Sequence, residues 1–414
     1  MQNISKQINQ NNLEDRVHVA GVGVISAIGV SVDETLQSFK NQSSGIAHIT
    51  LFDSAYRDKL PVGEVKLSNE VLCKKLSVAP HITRTALLGI HAAREAVANA
   101  GIDLKKWRTG LISATTVGGM DKTENFFNDF KIDSAKGHLR EIVNHECGRS
   151  TELIADDLGI NGFISTINTA CSSSVNAIAL GARLIKHNHL DIVVAGGTDA
   201  LSKFTLNGFN SLMILDSQPC RPFDAGRGGL NLGEGAGFVV LISNRVKKAA
   251  EKETVAYVNG YGNTNDAHHQ TASSPEGRGS FGAMKKALAM GSLEANDIDY
   301  INLHGTGTLN NDLSEGTAIT RIYGQNYPRL SSTKAFTGHT LGASGGIEAV
   351  FSILAIEKQC VFPNLRFETP IPEINVTPQR TYEDGIEVNH VMSNSFGFGG
   401  NCSSIIFSRT TDNG

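Results

Sequence analysis

The chain has 414 residues, 43 glycines, one tryptophan, 19% charged residues and a formal net charge of −4. That length exceeds the roughly 100–200 residues of an average domain and permits a large core. The mild negative charge argues against a nucleic-acid binder. Six cysteines without paired spacing (Cys73, Cys147, Cys171, Cys220, Cys360, Cys402) make neither a disulfide framework nor a C-x-x-C metal or redox site.

Residues 1–15 are polar and Asn/Gln-rich and read as a mobile tail without the apolar run of a secretion signal. No apolar stretch reaches the about 18 residues of a membrane span, so the expected compartment is the reducing cytoplasm. Residues 17–25 read as a strand, and 32–40 as a helix with Ser31 as its N-cap. An amphipathic helix is expected over 82–100, with Leu87, Leu88, Ala92 and Val97 at helical spacing and Gly101 at its C-cap. A short strand covers 110–114. The stretch 126–142 reads as polar and irregular, anchored by Phe126, Phe127 and Phe130. A strand at 163–168 runs into Thr169-Ala170-Cys171 and a helix over 172–186. Strands follow at 191–197 and 237–242.

The order then repeats. Strands are expected at 255–262, 300–303, 331–334, 391–395 and 403–407, with helices at 279–290 and 342–358. Ser165-Thr166 falls on Ser332-Thr333, and the strands at 237 and 403 correspond, as do those at 17 and 255. The expected organisation is a tail at 1–15, one half at 16–250 and a second at 251–414, built from sheets covered by helices.

Cys171 lies between a strand and a helix, among Ala170, Ser172, Ser173 and Ser174. Unpaired N–H groups and the helix dipole there are expected to lower the thiol pKa, and small neighbours permit a sharp turn that presents the sulfur. The competing reading is a buried structural cysteine. His304, in His304-Gly305-Thr306-Gly307-Thr308, and His339, after Lys334-Ala335-Phe336-Thr337-Gly338, each follow a strand among small residues that admit a substrate to the ring. Their spacing matches no compact zinc motif. His268-His269 reads as a solvated turn. Phe396-Gly397-Phe398-Gly399-Gly400 is a loop able to swing a ring and aim an N–H at an oxyanion.

These motifs carry a resemblance. T-A-C-S-S-S at 169–174, R-P-F-D at 221–224, G-E-G-A-G at 233–237, H-G-T-G-T at 304–308, S-T-K-A-F-T-G-H at 332–339 and N-S-F-G-F-G-G at 394–400 are similar, in identity and order, to those of the β-ketoacyl-ACP synthases. The resemblance implies an α/β thiolase-like fold: two duplicated halves, each with a mixed five-stranded sheet, in five αβαβα layers. It implies decarboxylative condensation of an acyl thioester with malonyl-ACP, acyl carrier protein (ACP) as partner, and a homodimer or a heterodimer with a related subunit. No cofactor or metal is implied beyond the phosphopantetheine arm of ACP.

By the same resemblance, Cys171 is the acyl-accepting nucleophile, and His304 and His339 bind the malonyl thioester carbonyl. Lys334 orders the site and Glu315 pairs with it. Thr306, Thr308 and Thr271 contact the pantetheine arm. Phe398 is the gate, its N–H forming the oxyanion hole with that of Cys171, and Val117 limits acyl-chain depth. Basic residues are expected to ring the entrance for acidic ACP, with Lys74, Lys75 and Arg84 as candidates; the competing reading is a solvated charged face. One departure is Gly399-Gly400-Asn401-Cys402 where the family continues G-G-T-N, which leaves the side-chain support of the gate open. The motif set is closest to those of the type II fatty acid and polyketide synthases, and its combination resembles the synthases of aryl-polyene and related pigment pathways. The alternatives are a non-catalytic chain-length subunit, which typically lacks the nucleophile, and a thiolase, which uses a second late cysteine in a different motif.

Overall fold

In the computed structural model residues 16–410 are described, so the tail expected at 1–15 lies outside them. Ten strands form one mixed sheet: β1 Val17–Ser26, β2 Thr109–Ala114, β3 Phe163–Ile167, β4 Ile192–Asp199, β5 Gly235–Ser243, β6 Ala256–Asn265, β7 Tyr300–Asn302, β8 Arg329–Ser331, β9 His390–Phe396 and β10 Asn401–Arg409. Their order is β8-β7-β9-β10-β6-β1-β5-β4-β2-β3. The first five strands and the last five therefore have the same internal order. The directions match too. β2 is parallel to β3 and β4, as β7 is to β8 and β9, and the remaining pairs within each half are antiparallel. The halves meet where β1 and β6 pair antiparallel over Val17↔Val258, His18↔Tyr257 and Val19↔Ala256.

The helices that matter for the site are α1 Val32–Lys40, α2 Arg84–Ala100, α3 Met120–Ile132, α4 Cys147–Leu158, α5 Ser173–Lys186, α6 Lys203–Ser211, α7 Arg278–Gly291, α8 Leu309–Tyr323, α9 Lys334–Thr337 and α10 Ser344–Lys358. Alternation along the strands assigns each face to one core. In β5, Val239 and Leu241 join α5 and α10 in a central core that also holds Val391 of β9 and Phe407 of β10. Phe238 and Val240 face outward onto α2 and α4. In the other half Met392 and Ile406 face outward onto α7 and α8. The five strands of each half act as one sheet on either side of the short β1–β6 pairing, and the result is five layers, with α5 and α10 sandwiched between these two sheets. Ser344 to Ile356 of α10 are all buried, as expected for a helix apolar on every side.

Close approach of the outer helices is set by glycine pairs on corresponding strands. A Cβ on Gly23 would lie 2.1 Å from Ala92 O of α2, and one on Gly262 would lie 2.2 Å from Ala283 O of α7. Gly21 and Gly260 repeat the arrangement two residues earlier, which places the duplication in atomic contacts as well as in topology.

Several boundaries have local causes. α1 starts after Ser31, whose side chain accepts from Glu34 N, and Gly101 closes α2 with φ 65. α2 begins at Arg84 rather than 82 because Thr83 caps it, accepting from Ala86 N. The strand expected at 331–334 stops at Ser331, and Lys334 opens the short helix α9. The stretch 126–142 corrects the expectation most. Its first part is the last half of α3, and none of the side chains of α3 is buried. Phe126 stacks on Phe130 at 5.8 Å, while Phe127 and Phe130 are 54% and 43% exposed, so these rings do not anchor it in the core.

Replacing Gly262 by Val should force α7 off β6 and cost at least about 1–3 kcal/mol. Urea unfolding should show a lowered midpoint, and an unchanged midpoint would contradict the close approach.

Candidate active site

β3 leads through Thr169 and Ala170 into Cys171, which directly precedes Ser172, the N-cap of α5. Ala170 has φ 55, a left-handed conformation that its small side chain tolerates. Ser173 pins the turn: its hydroxyl donates to Ala170 O and accepts from Thr169 N at 2.8 Å. The Cys171 side chain is 6% exposed. Burial pushes its thiol up to about 11, against the lowering effects of the Lys334 ammonium and of the Phe398 and Cys171 N–H groups. The thiol pKa expected to be lowered at this helix start is therefore raised. Desolvation of the thiolate outweighs the nearby positive ends.

His304 follows β7. Glu315 of α8 accepts from His304 N at 2.9 Å and Gly305 N at 2.8 Å, and also from Asn394 Nδ2 at 3.1 Å. Burial pushes this carboxyl up to about 7. Asp312 holds the rest of the loop, accepting from Thr306 N at 3.0 Å and Gly307 N at 3.2 Å. Thr308 is the N-cap of α8, and its hydroxyl lies 2.9 Å from that of Thr306.

His339 is held by the first half of the chain: its N–H donates to Asn231 O at 2.7 Å, and its carbonyl accepts from Gly233 N at 2.9 Å. Its Nδ1 accepts from Leu341 N at 3.0 Å, so in the neutral ring the hydrogen sits on Nε2. The two rings meet edge to face with centroids 5.4 Å apart. Burial, then the Lys334 ammonium, holds both histidines well below the usual imidazole value.

Lys334 does not pair with Glu315, as was expected. Its ammonium pairs with Glu348 of α10, both groups being buried. Glu348 Oε2 has no other partner, and burial pushes this carboxyl up to about 7. Glu315 instead serves backbone N–H groups, because α8 points it at the start of the His304 loop. The expected entrance role of Arg84 is also corrected. Arg84 is buried and forked onto Glu234, with Nε–Oε2 2.8 Å and Nη2–Oε1 2.7 Å. Its remaining donors go to Val65 O, Leu67 O and Asn69 Oδ1, so no charge is left for a partner. Lys74 and Lys75 are exposed at the last turn of the helix Asn69–Leu76.

These elements enclose a cavity of about 270 Å³ whose walls include Cys171, His304, His339, Phe398, Thr306, Thr308 and Thr271. The Phe398 ring stacks on Phe209 of α6 at 5.8 Å, and the Phe398 N–H lies near the Cys171 sulfur, where it favours the thiolate. Val117 is not on the wall. It packs behind it in an apolar cluster with Leu230, Leu232 and Leu341, against which Phe209 and Ile214 of the wall rest. Lys334 likewise stands behind the wall and acts on it through charge.

Cys171, His304 and His339 each offer a donor atom within 4.8 Å of the others, a set chemically suited to zinc. The neighbouring ammonium of Lys334 repels a cation, and the Leu341 N–H keeps the His339 hydrogen on Nε2, where a metal would need the lone pair. The residues therefore fit two hydrogen-bond donors beside a thiol better than a metal centre.

Three participants were not singled out from the sequence. Asp199 at the end of β4 accepts from Thr116 N at 2.9 Å and Gly342 N at 2.7 Å, tying the loop after β2 to the loop after His339. Glu348 carries a signal in retrospect, a lone carboxylate in the apolar run of α10. Asn401, noted only as a departure from the family pattern, accepts from Ser172 Oγ at 2.8 Å and so supports the gating loop with its side chain.

Comparison with known proteins agrees with this geometry. Residues 14–247 match the family description Beta-ketoacyl synthase, N-terminal domain, and 255–368 match Beta-ketoacyl synthase, C-terminal domain. The chain belongs to the β-ketoacyl synthase family of acyl-transferring condensing enzymes. It is 34% identical over 411 residues to 3-oxoacyl-[acyl-carrier-protein] synthase 2 of Staphylococcus aureus (strain COL), covering 95% of this chain and 98% of that one. Among solved structures it is similar to the ishigamide ketosynthase/chain length factor, with TM-score 0.89, 30% identity, and 96% and 99% of the two chains covered. It is also similar to the ketosynthase ApeO in complex with its chain length factor ApeC from Xenorhabdus doucetiae, with TM-score 0.84, 30% identity, and 95% and 98% covered. The thiolase-like fold expected from the motifs is thus the observed one. No helix among the described residues is long and apolar enough to cross a membrane.

Because both imidazoles are held far below their unfolded value, they stay neutral through the neutral range. The stability they confer is fully present above about pH 6.5 and is lost as pH falls toward their folded values. Ring resonances of His304 and His339 should not titrate between about pH 6 and 8, unlike a free imidazole near 6.5. A midpoint inside that range for either ring would contradict their burial beside Lys334.

Proposed function

We propose that this chain extends acyl chains by decarboxylative Claisen condensation, with Cys171 as acyl acceptor and malonyl-ACP as the two-carbon donor. The observation that carries the reading is a buried cysteine sulfur and one nitrogen from each of two imidazoles, all within 4.8 Å of one another on the wall of one cavity that Phe398 also lines.

In the first half-reaction Cys171 Sγ attacks the carbonyl of an acyl-ACP thioester. The Phe398 and Cys171 N–H groups stabilise the oxyanion. The bond to the pantetheine sulfur breaks, and the thiol proton ends on that sulfur. In the second, a malonyl thioester places its carbonyl oxygen at the hydrogen-bearing nitrogens of His304 and His339. Loss of carbon dioxide leaves an enolate held by those hydrogen bonds. The enolate carbon attacks the acyl carbon, the bond to Sγ breaks, and Cys171 regains a proton as the β-ketoacyl thioester leaves. Thr306, Thr308 and Thr271 line the route of the pantetheine arm, Val117 limits acyl depth from behind the wall, and Lys74 and Lys75 offer charge to acidic ACP. The chain needs no cofactor of its own in this scheme and works in the cytoplasm. Among pathways, T-A-C-S-S-S and the likeness to ApeO favour polyketide or aryl-polyene chain extension.

Mass spectrometry after incubation with acyl-ACP should show one acyl adduct, on Cys171, and none in Cys171→Ala. Labelling at another residue would overturn the assignment. A non-catalytic chain-length subunit is disfavoured by the complete cysteine–histidine set, and a thiolase would turn over acetyl-CoA without malonyl thioester.

The outer edge of β3 carries no strand among the described residues, and Phe163 and Ile164 on it are 42% and 39% exposed. Phe127, Phe130 and Ile132 of α3 are exposed as well. An unpaired apolar edge is a template for strand addition, so the working unit is a dimer, with a second copy or a related subunit. Sedimentation should give a dimer for the unaltered protein, alone or with its related subunit, and a monomer for Ile164→Lys. A variant that sediments like the parent would place the interface elsewhere.

A further inference from the structure

The two oxyanion donors come from different halves of the chain. The Cys171 N–H belongs to the turn after β3, and the Phe398 N–H to the loop before β10. No local backbone geometry sets their separation, so contacts between the two segments must. The approach is close: a Cβ on Gly397 would lie 2.9 Å from Thr169 O and 3.1 Å from Cys171 N.

Asn401 is where the gating loop re-enters β10. Its main-chain carbonyl accepts from Gly397 N at 2.8 Å, closing the loop that carries Phe398. Its side-chain oxygen reaches the other half, accepting from Ser172 Oγ at 2.8 Å and Asn176 Nδ2 at 3.1 Å. Both donors also hold Thr169: the single Ser172 hydroxyl hydrogen is shared between Asn401 Oδ1 and the Thr169 carbonyl, 2.7 Å from Oγ, while the second Asn176 Nδ2 hydrogen goes to the Thr169 hydroxyl at 2.8 Å. Asn263 of β6 donates to the Asn401 oxygen at 2.8 Å and to Ser403 Oγ at 2.8 Å, fixing the amide from behind.

We infer that Asn401 is a positioning residue for the oxyanion hole: one side-chain oxygen ties the end of the gating loop to the turn that presents the nucleophile. The inference rests on Cys171 being the acyl acceptor. Its amide touches no reacting atom and acts through the spacing of the Phe398 and Cys171 N–H groups. A carboxylate at the same position keeps the acceptor and should keep the spacing, whereas a methyl group removes it.

The experiment compares two reactions of the same sulfur in the full chain. Acylation by hexanoyl-ACP needs the oxyanion donors, and alkylation by iodoacetamide does not. Asn401→Ala should lower the maximal acylation rate about tenfold or more with half-saturation unchanged. Alkylation and the unfolding midpoint should stay near those of the parent. Asn401→Asp should restore most of the acylation rate. Asn263→Ala should slow acylation in the same selective way, and the double variant should be no slower than Asn401→Ala alone. If Asn401→Ala does not fold, Asn263→Ala and Asn401→Asp decide the matter. Acylation unchanged in the alanine variants, a parallel fall in acylation and alkylation, or additive effects in the double variant would each overturn the inference. An unaltered protein that accepts no acyl group would overturn the functional reading itself, and this inference with it. That outcome is distinct from an active parent whose Asn401 variants are equally active.

Discussion

The site depends on the burial of two helices, α5 and α10, back to back between the two sheets. Each follows the edge strand of its half, β3 or β8, and each packs its apolar surface into one shared core. Because the halves have the same strand order, the chain enters both helices from the same end of the sandwich. Cys171 at the start of α5 and His339 just before α10 are thereby neighbours, and the Ser174 hydroxyl of α5 donates to Gly342 O across a sequence separation of 168 residues. His304 joins them because β7, beside β8, ends at the same level. Loosening the central layer would separate nucleophile from imidazoles before it altered any of them chemically.

Burial then sets the electrostatics. Cys171, both histidines, Lys334, Glu315 and Glu348 are all buried. Charged forms are costly there unless paired. The thiol is held protonated and the imidazoles neutral, and the one ammonium is matched by Glu348. A resting site of this kind contains two neutral N–H donors and a sulfur whose negative charge is stabilised only by fixed dipoles and by Lys334. Such donors strengthen where charge develops on a substrate oxygen, since they need no reorganisation at that moment. Glu315, Asp312 and Asp199 contribute differently: they accept from backbone N–H groups of the loops and so hold each reacting residue in place.

Much of this was legible in local sequence. Thr169-Ala170-Cys171 between a strand and a helix announces a presented thiol, and the small residues around His304 and His339 announce rings open to a ligand. Ser31, Gly101 and the strand boundaries follow from caps and alternation, which are properties of a few adjacent residues. The pairing of Lys334 was not legible, because acidic residues lie on both sides of it, Glu315 before and Glu348 after, and only the packing of α8 and α10 decides between them. The rise of the Cys171 pKa was missed for a related reason: a helix terminus is visible in sequence, but the depth of its burial is not. α3 was read as irregular because its apolar residues face outward, where no core imposes a pattern.

The sequence by itself therefore determined which residue types stand at strand ends, where helices begin and end, and that one α/β unit occurs twice, since those follow from short-range sterics and periodicity. Tertiary structure alone decided which charges are paired, which groups are dry, and how far the Phe398 N–H stands from that of Cys171. Those quantities arise between segments distant in the chain, through desolvation and packing that no single segment contains.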